Sequence, residues 1–372
     1  MIKIKPFFST DAAQVRALLR HQDEPVPYEN FCNEDKILES GLKFFQHWLP
    51  CNLHLGPSVY VAKEDRVVLG LISLDSAGKS KNCWQINQLV VHKSHRGRGI
   101  AQELMRYALA LFGGQGINHF IFEISNQNSK GMNLLNSCGF RRCLINNYYQ
   151  VPLDYEIGED EVASNQFRIA IPEDKQGIYE LHQALLPQDV RRILERVPED
   201  YYMAELNADT MEKMARRLLR RKRWFWLAED LERRVIPCAA KVSAPRQGEF
   251  HIEIWVNQGY SEMTGDLINY VLSTMKKASM KGTIIFKAHD FQKHLIQELE
   301  KREFERIGSF LLMAREHWQR AKKPKKLKLD PKVSLPNLGT PAVNVPFAGG
   351  FDRSSMIFDR LKIEESDPRD SN

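Results

Sequence analysis

The sequence predicts a mixed α/β fold that occurs twice in a chain of 372 residues. Three observations support this prediction: the order of short strand and helix patterns, the return of those patterns about 164 residues later, and a change of composition near residue 318. The hydrophobic fraction of 43% and the charged fraction of 27% are ordinary for a globular protein. A core of useful size can therefore form without disulfides or structural metals.

The first half alternates strands and helices. Residues 2–5 alternate apolar and basic side chains, as a short strand does, and residues 9–11 offer an N-cap for a helix over 12–19. The patterns that follow predict strands at 58–63, 67–74, 84–92, 118–125 and 143–152, and helices at about 99–112 and 128–138. This order is that of a mixed α/β domain.

The opening pattern returns in the second half. Residues 167–172 resemble the first strand, and residues 174–185 resemble the first helix. Ile284 stands 164 positions after Phe120, and Phe304 stands 164 positions after Phe140. Repetition at a constant spacing predicts an internal duplication.

The predicted domain boundaries follow composition. A first domain spans 1–157, an acidic linker of small residues spans 158–165, and a degenerate second copy spans 166–318. Residues 319–372 form a basic, Pro/Gly-rich tail. The six cysteines show no metal-binding spacing, and neither a secretory leader nor a membrane span is evident. We therefore expect a cytoplasmic protein without a membrane partner or a metal site.

The charge pattern has two interpretations. The net charge of +6 and the pI of about 8.9 suit an acidic ligand such as a nucleotide cofactor, but they are too mild to require nucleic acid. The basic run at 216–223, followed by Trp224, Phe225 and Trp226, is typical of a nucleic-acid surface. It is equally typical of a basic helix end that leads into a buried strand. We favour the second interpretation, so nucleic acid is not an expected partner.

The most informative segment lies between a predicted strand and a predicted amphipathic helix, at residues 89–101. Gly97 and Gly99 lack Cβ atoms, so the backbone can bend sharply there and approach a ligand closely. Successive N–H groups in such a turn, together with the positive end of a helix, bind anions, and Arg96 and Arg98 add charge. The residues alone predict a phosphate site, without distinguishing coenzyme A from a nucleotide. The spacing matches neither a Walker loop nor G-x-G-x-x-G.

Two motifs narrow the choice. Residues 96–101 read R-G-R-G-I-A after the strand end Leu-Val-Val at 89–91, and downstream lie Asn128, Gly131 and then Gly-Phe at 139–140. This arrangement resembles the GNAT superfamily of N-acyltransferases, whose motifs are Q/R-x-x-G-x-G/A after L-x-V, and N-x-x-A-x-x-L-Y-x-x-x-G-F. The resemblance covers about residues 1–155 and, more weakly, about 165–317.

The resemblance implies an N-acetyltransferase that moves an acetyl or other acyl group from acetyl-CoA to an unidentified amine, by direct attack in a ternary complex. The central strand of this family splays from its neighbour at a bulge. The pantetheine arm would lie in that slot, and a backbone N–H near Val91 would polarise the thioester carbonyl. The implied cofactor-binding residues are Leu89, Val90, Val91, Arg96, Gly97, Arg98, Gly99, Ile100, Ala101 and Asn128.

The sequence departs from the family at the groups that move protons. Leu135 stands where the family often has the tyrosine that protonates the departing thiolate, and Asn87 and Gln88 replace a frequent strand carboxylate. An amine of pKa near 10.4 must lose its proton before attack, which costs roughly 4–5 kcal/mol at neutral pH. Placing the two substrates side by side contributes several kcal/mol, so transfer without a dedicated base is slow but not forbidden. Candidate catalytic residues are His92, Glu123, Tyr148 and Tyr149.

The second half departs further. Its counterpart of the glycine loop, at 257–266, has no arginine and contains Glu262 and Asp266, which oppose a pyrophosphate. Glu303 stands at the position that answers Gly139. We expect the GNAT shape there without cofactor binding.

Two other functions stay open on the sequence alone. The missing acid and base are also typical of a non-catalytic acyl-CoA-binding or regulatory protein with tandem GNAT modules. The basic segments, including the lysine run at 322–328, motivate an RNA- or ribosome-associated protein. Release of coenzyme A, cofactor binding without turnover, and salt-dependent RNA binding distinguish the three functions.

Overall fold

The computed structural model describes residues 2–20, 57–80, 82–152, 155, 166–201, 222–230, 232–246, 248–277 and 282–317. Met1–Arg320 form one compact unit. The expected linker and the expected tail lie outside the described residues, so the domain boundaries stay a prediction. None of the helices in the described ranges is long and apolar enough to cross a membrane.

The first half contains six strands and three α-helices among its described residues. In chain order they are β1 (Ile2–Pro6), α1 (Ala12–Arg20), β2 (Ser58–Glu64), β3 (Val67–Ser76), β4 (Cys83–Val91), α2 (Ile100–Gly114), β5 (His119–Ser125), α3 (Ser129–Ser137) and β6 (Arg141–Gln150). We call these elements the first module. Their order confirms the predicted mixed α/β fold.

The second half repeats this order and adds one helix. Its elements are β7 (Phe167–Ile169), α4 (Lys175–Leu185), α5 (Gln188–Leu194), β8 (Lys222–Asp230), β9 (Val235–Arg246), β10 (Glu249–Val256), α6 (Met263–Lys277), β11 (Thr283–His289), α7 (Lys293–Lys301) and β12 (Glu305–Glu316). We call them the second module, and they confirm the duplication. Lys222 and Arg223 belong to a strand, so the basic helix end expected there is wrong at these two residues.

All twelve strands form one sheet, in the order β1-β2-β3-β4-β5-β12-β6-β11-β10-β9-β8-β7. The order is symmetric, because each strand of the first module has its counterpart at the same distance from the centre. β12 pairs with β5, and β6 pairs with β11. Each module is thus completed by the last strand of the other, which the sequence analysis did not predict.

The strand exchange also mixes the two cores. Leu311 and Met313 of β12 are buried in the first module's core with α2 and α3. Tyr149 of β6 is buried in the second module's core with α6 and α7. A separate cluster packs α1 against the opposite face of the sheet. Because each strand contributes apolar side chains to the other module's core, we expect the halves to depend on each other for stability.

Candidate active site

A slot opens between β4 and β5 in the first module. The two strands pair in parallel over residues 83–86 and 119–122, although β4 continues to Val91. The last pair joins Ile86 to Phe122, and Glu123 is the first residue of β5 beyond it. On its other edge, β5 pairs with β12 over its whole length, from His119 to Ser125.

A bulge in β4 accounts for the separation. The pairing register between β3 and β4 shifts between the pairs Leu74–Ile86 and Ser73–Gln88, so Asn87 is an extra residue in β4. An extra residue bends its strand away from the ladder. The pairing of β4 with β5 stops at Ile86, the residue before this bulge, which agrees with the splay that the sequence resemblance implied.

The slot ends at the turn between β4 and α2. Gly97 and Gly99 have φ angles of 81° and 79°, in the left-handed region that glycine adopts without strain. Gly99 is the N-cap residue of α2 and has no side chain that could accept a hydrogen bond from the first amides of the helix. Those amides also have no acceptor inside the helix itself. Among the described residues, no atom lies within 4 Å of a Cβ built on either glycine. The turn is open on its outer side, and its residues fit a diphosphate group.

The side chains around this turn are basic and exposed. The Nε of Arg96 donates to the carbonyl oxygen of Val91 at 3.4 Å. The Nη2 of Arg98 lies 3.3 Å from the Glu64 carboxylate, and both side chains are partly exposed. Such surface pairs contribute about 0–1 kcal/mol. Arg98 can therefore turn toward an anionic ligand at little cost.

β3 packs closely against the end of β4, on the edge of β4 that faces away from β5. Gly70 of β3 lies opposite Val91, and a Cβ built on it would lie 2.8 Å from the carbonyl oxygen of Val90. Leu89 and Val91 pack toward the α2 core, whereas Val90 packs toward α1. Ile100 is buried and anchors the start of α2, with the half-buried Ala101 beside it.

Asn128 has a structural role that the sequence analysis did not assign. Its Oδ1 accepts a hydrogen bond from the backbone N–H of Gly131 at 2.7 Å and so caps α3. A Cβ on Gly131 would lie 2.3 Å from Cδ1 of Ile124. The close approach of α3 to β5 explains glycine at the family's alanine position.

Two of the four catalytic candidates lie together. The carboxylate of Glu123 accepts hydrogen bonds from the Tyr148 hydroxyl at 2.9 Å and from Nδ2 of Asn146 at 2.8 Å. All three side chains are buried, and Tyr148 and Asn146 lie on β6, beyond β12. The two donors orient this carboxylate across β12 toward β6, while the backbone of Glu123 lies where the pairing of β4 and β5 ends.

The other two candidates lie elsewhere. Tyr149 is on the opposite face of β6, because neighbouring strand residues point to opposite sides. Its hydroxyl donates to Glu300, and burial and Glu300 raise the pKa of Tyr149 to about 12. His92 is exposed after β4, with Nδ1 2.8 Å from the Ser94 hydroxyl. Leu135 is fully buried in the core.

The sequence analysis missed Asn146. Its signal is two adjacent asparagines, Asn146 and Asn147, inside a strand that is otherwise largely apolar and aromatic toward its end. Asn146 and Tyr148 are two positions apart and therefore share a face. Buried polar side chains need partners, so a carboxylate opposite them was the natural inference.

In the second module, side chains pack against the first turn of α6, at the position that answers Ala101. A Cβ on Gly265, in the first turn of α6, would lie 3.3 Å from Nη2 of Arg302 and 3.4 Å from the Glu298 carboxylate. Arg302 also donates to the carbonyl oxygen of Gly265 at 3.3 Å and to Asn269 at 2.6 Å. Phe225 and Trp226 of β8 are buried, which removes them as stacking surfaces for bases.

Comparison with known proteins identifies the first module. The family model described as the acetyltransferase (GNAT) family matches residues 19–140. This match covers most of the first module. The family match gives acyl transfer as the general class of chemistry. No curated protein matches the sequence.

Solved structures extend the likeness to both modules as a fold. A tandem GNAT protein from the clavulanic acid biosynthesis pathway aligns with 86% of this chain and 100% of its own, at 13% identity and a TM-score of 0.55. A GCN5-related N-acetyltransferase from Sphaerobacter thermophilus aligns with 87% of this chain and 98% of its own, at 12% identity and a TM-score of 0.55. The chain therefore has the fold of tandem GNAT modules.

Proposed function

We propose that the first module is an N-acetyltransferase that transfers an acetyl group from acetyl-CoA to an amine. The observation that carries the proposal is that β4 leaves its pairing with β5 after Ile86 and then runs on to the open glycine turn at the start of α2. A slot that ends in free helix amides and basic side chains suits a long ligand with a diphosphate at one end. The tandem GNAT relative was solved "without AcCoA", and we carry that ligand to this chain as part of the proposal.

In this proposal the turn and the slot bind and orient. The amides at Gly97, Gly99 and the first turn of α2 hold the diphosphate, with Arg96 and Arg98 neutralising its charge. Acetyl-CoA, when bound, supplies an activated acyl thioester. The backbone of β4 near Val91, past the last pair with β5, supplies the N–H donor for the thioester carbonyl.

Glu123 is the proposed proton acceptor. Its backbone lies where the pairing of β4 with β5 ends, and its two donors orient the carboxylate. An ionised carboxylate at the slot can accept the proton that the amine loses as the new N–C bond forms. Leu135 is buried and has no proton to give. The proton for the departing thiolate therefore comes from another group, and the proton taken up by Glu123 is the nearest source.

The binding test uses two glycines at opposite ends of α2. Gly99 and Gly116 are both exposed, have φ angles of 79° and 94°, and have no described atom within 4 Å of a built Cβ. Gly99→Glu and Gly116→Glu thus add the same charge and similar strain. We expect Gly99→Glu to weaken coenzyme A binding by about 100-fold, through like-charge repulsion of several kcal/mol. Gly116→Glu is the matched control, and equal affinity of the two variants would refute the site.

The activity test measures thiol release from acetyl-CoA with a panel of amines. We expect release that depends on the amine and falls by about 100-fold in Glu123→Gln. Tight coenzyme A binding with no release across the panel would instead assign a non-catalytic acyl-CoA-binding protein. The buried Leu135 and the absence of a carboxylate in β4 make that the second candidate.

A further inference from the structure

A hydrogen-bond chain links Glu123 to the second module. Glu123 accepts from Nδ2 of Asn146, and Oδ1 of Asn146 lies 2.6 Å from Nδ1 of His289. His289 is the last residue of β11, and its backbone N–H donates to the side chain of Gln292 at 2.9 Å. Its ring stacks on Phe291 with centroids 5.2 Å apart. His289 is thus held in place from two sides.

The chemistry of an amide fixes the direction of this chain. The asparagine side chain has a donor end, the NH2 group, and an acceptor end, the oxygen. An ionised carboxylate only accepts, so the NH2 group of Asn146 must face Glu123. The oxygen of Asn146 then faces His289, whose Nδ1 must carry a hydrogen. If that donor is removed, the amide can rotate and direct its oxygen at the carboxylate.

A second contact from the same strand reaches the other donor of Glu123. Lys287 lies two residues before His289 on β11, and its Nζ is 5.9 Å from the centroid of the Tyr148 ring. This distance is within the range of a cation–π interaction. Both side chains that donate to Glu123 are therefore contacted by residues of β11. The positions of the first module that answer Lys287 and His289, by the 164-residue shift, are Glu123 and Ser125.

Other charged groups also act on His289. It interacts electrostatically with Glu253 and with His182. Burial would raise the pKa of Glu253, but Lys241 and Lys287, with His289, hold that pKa below its usual value. Lys241 also forms an ion pair with Glu253. Lys241 and Lys287 both stabilise the charged form of Glu253, so their positive charge offsets part of the effect of this carboxylate on His289.

We propose that His289 is a positioning residue for Glu123, so that the second module completes the active site of the first. The inference rests on the proposed function of Glu123. It gives the module without an open glycine turn a role in catalysis, because β11 orients both donors to the base. The strand exchange is what makes this possible, since it places β6 of the first module between β12 and β11 of the second.

The kinetic test compares three variants of the full chain. His289→Leu removes the donor, His289→Asn keeps an N–H near the Nδ1 position, and His294→Leu changes an exposed histidine on α7 as the control. We expect His289→Leu to lower kcat by about tenfold and to move the acid limb of its pH profile up by about one unit, because one hydrogen bond to a charged network is lost. The KM for acetyl-CoA stays unchanged. His289→Asn should recover most of kcat, and His294→Leu should match the wild type.

A second measurement does not depend on turnover. The carboxyl carbon signal of Glu123, assigned by its loss in Glu123→Gln, can be followed against pH in protein labelled with 13C-glutamate. We expect its titration midpoint to rise by about one pH unit in His289→Leu and to return in His289→Asn. An unmoved midpoint in His289→Leu overturns the positioning role. Full activity of Glu123→Gln, or no turnover in the wild type, refutes the proposed function instead, and the midpoint still decides the role of His289.

Discussion

The two modules share a fold but differ in where the pairing of their central strands is interrupted. In the first module, β4 bulges at Asn87, in mid-strand, and leaves β5 after four pairs. In the second module, β10 and β11 make five pairs, and the register shift between β9 and β10 lies at the start of β10, between Glu249 and His251. The side chain of Gln292 then donates to the carbonyl oxygen of Ile254 at 2.7 Å, which ties the turn after β11 to β10.

The same difference appears at the start of the helix that follows. The turn before α2 has two left-handed glycines, Gly97 and Gly99, whereas Ser261 and Met263 stand at the corresponding positions of the second module. Ser261 has a φ of −59°, and Gly259 is not among the described glycines with positive φ. The second module thus keeps the strand order without the left-handed glycine turn. The comparison gives three predictions about what each module contributes.

The largest expected effect concerns the exchanged strand. Met313→Ala truncates a side chain of β12 that is buried in the first module's core, and should lower the free energy of unfolding by about 3 kcal/mol. Because β12 belongs to the second module, both modules should lose stability together. Hydrogen exchange in urea, followed on peptides from β3 and from β9, measures the two modules separately.

Met275→Ala is the matched control for that prediction. Met275 of α6 is equally buried, but lies in the second module's core. Both variants should shift the β3 and β9 peptides to the same lower urea concentration. If Met275→Ala shifts β9 while β3 keeps its wild-type midpoint, the modules are not coupled by the exchange.

The next prediction compares Arg302, near the start of α6, with Arg98, near the start of α2. Arg302→Leu removes hydrogen bonds to Gly265, Asn269 and Tyr155 and should cost about 2–3 kcal/mol of stability, with no direct change in coenzyme A affinity. Arg98→Leu changes an exposed side chain and should alter stability by less than about 0.5 kcal/mol. It should weaken coenzyme A binding by about tenfold, through loss of one charge-assisted contact. Calorimetric titration and urea unfolding of both variants check the contrast, and the reverse pattern would exchange the roles of the two modules.

The smallest effect is a pH dependence that originates in the second module. His182 of α4 stands at the position that answers Leu18 of α1, and burial lowers the pKa of His182 to about 3. In the unfolded chain His182 takes up a proton as the pH falls through 6.5, whereas in the folded chain it stays neutral until the pH nears 3. The stability that the fold has above pH 6.5 is therefore lost as the pH falls from 6.5 toward 3. Between pH 7 and pH 5 this amounts to about 2 kcal/mol.

A double variant tests this histidine without leaving a polar group unpaired. The Tyr201 hydroxyl is hydrogen-bonded to His182, so we expect His182→Leu with Tyr201→Phe to remove the pH-dependent loss. Urea unfolding at pH 5 and pH 7 gives the difference. An unchanged difference in the double variant would assign the acid sensitivity to other groups.

Much of the fold could be predicted because it depends on local patterns. Alternation, helical spacing and the 164-residue repeat gave the element order, and Gly97 and Gly99 marked the turn because few other residues adopt such φ angles easily. The strand exchange was beyond reach, because β6 and β12 carry similar patterns and periodicity does not say which neighbour a strand pairs with. For the same reason, Tyr148 and Tyr149 were equal candidates until the partners of β6 were known. The assignments of the cofactor and catalytic residues stay predictions.

The central position of β6 has a consequence for how the chain is made. β6 is synthesised about 164 residues before β12, which at roughly 5–20 residues per second is a delay of about 8–30 s. During that time β5 and β6 both have unpaired edges, which attract other strands. Arg141 and Arg142, exposed at the start of β6, are the kind of charged residues that discourage such pairing. The amino-terminal half therefore stays incomplete until its own β12 has been synthesised. Until then it can pair with the β12 of another nascent chain, which would give a strand-swapped dimer.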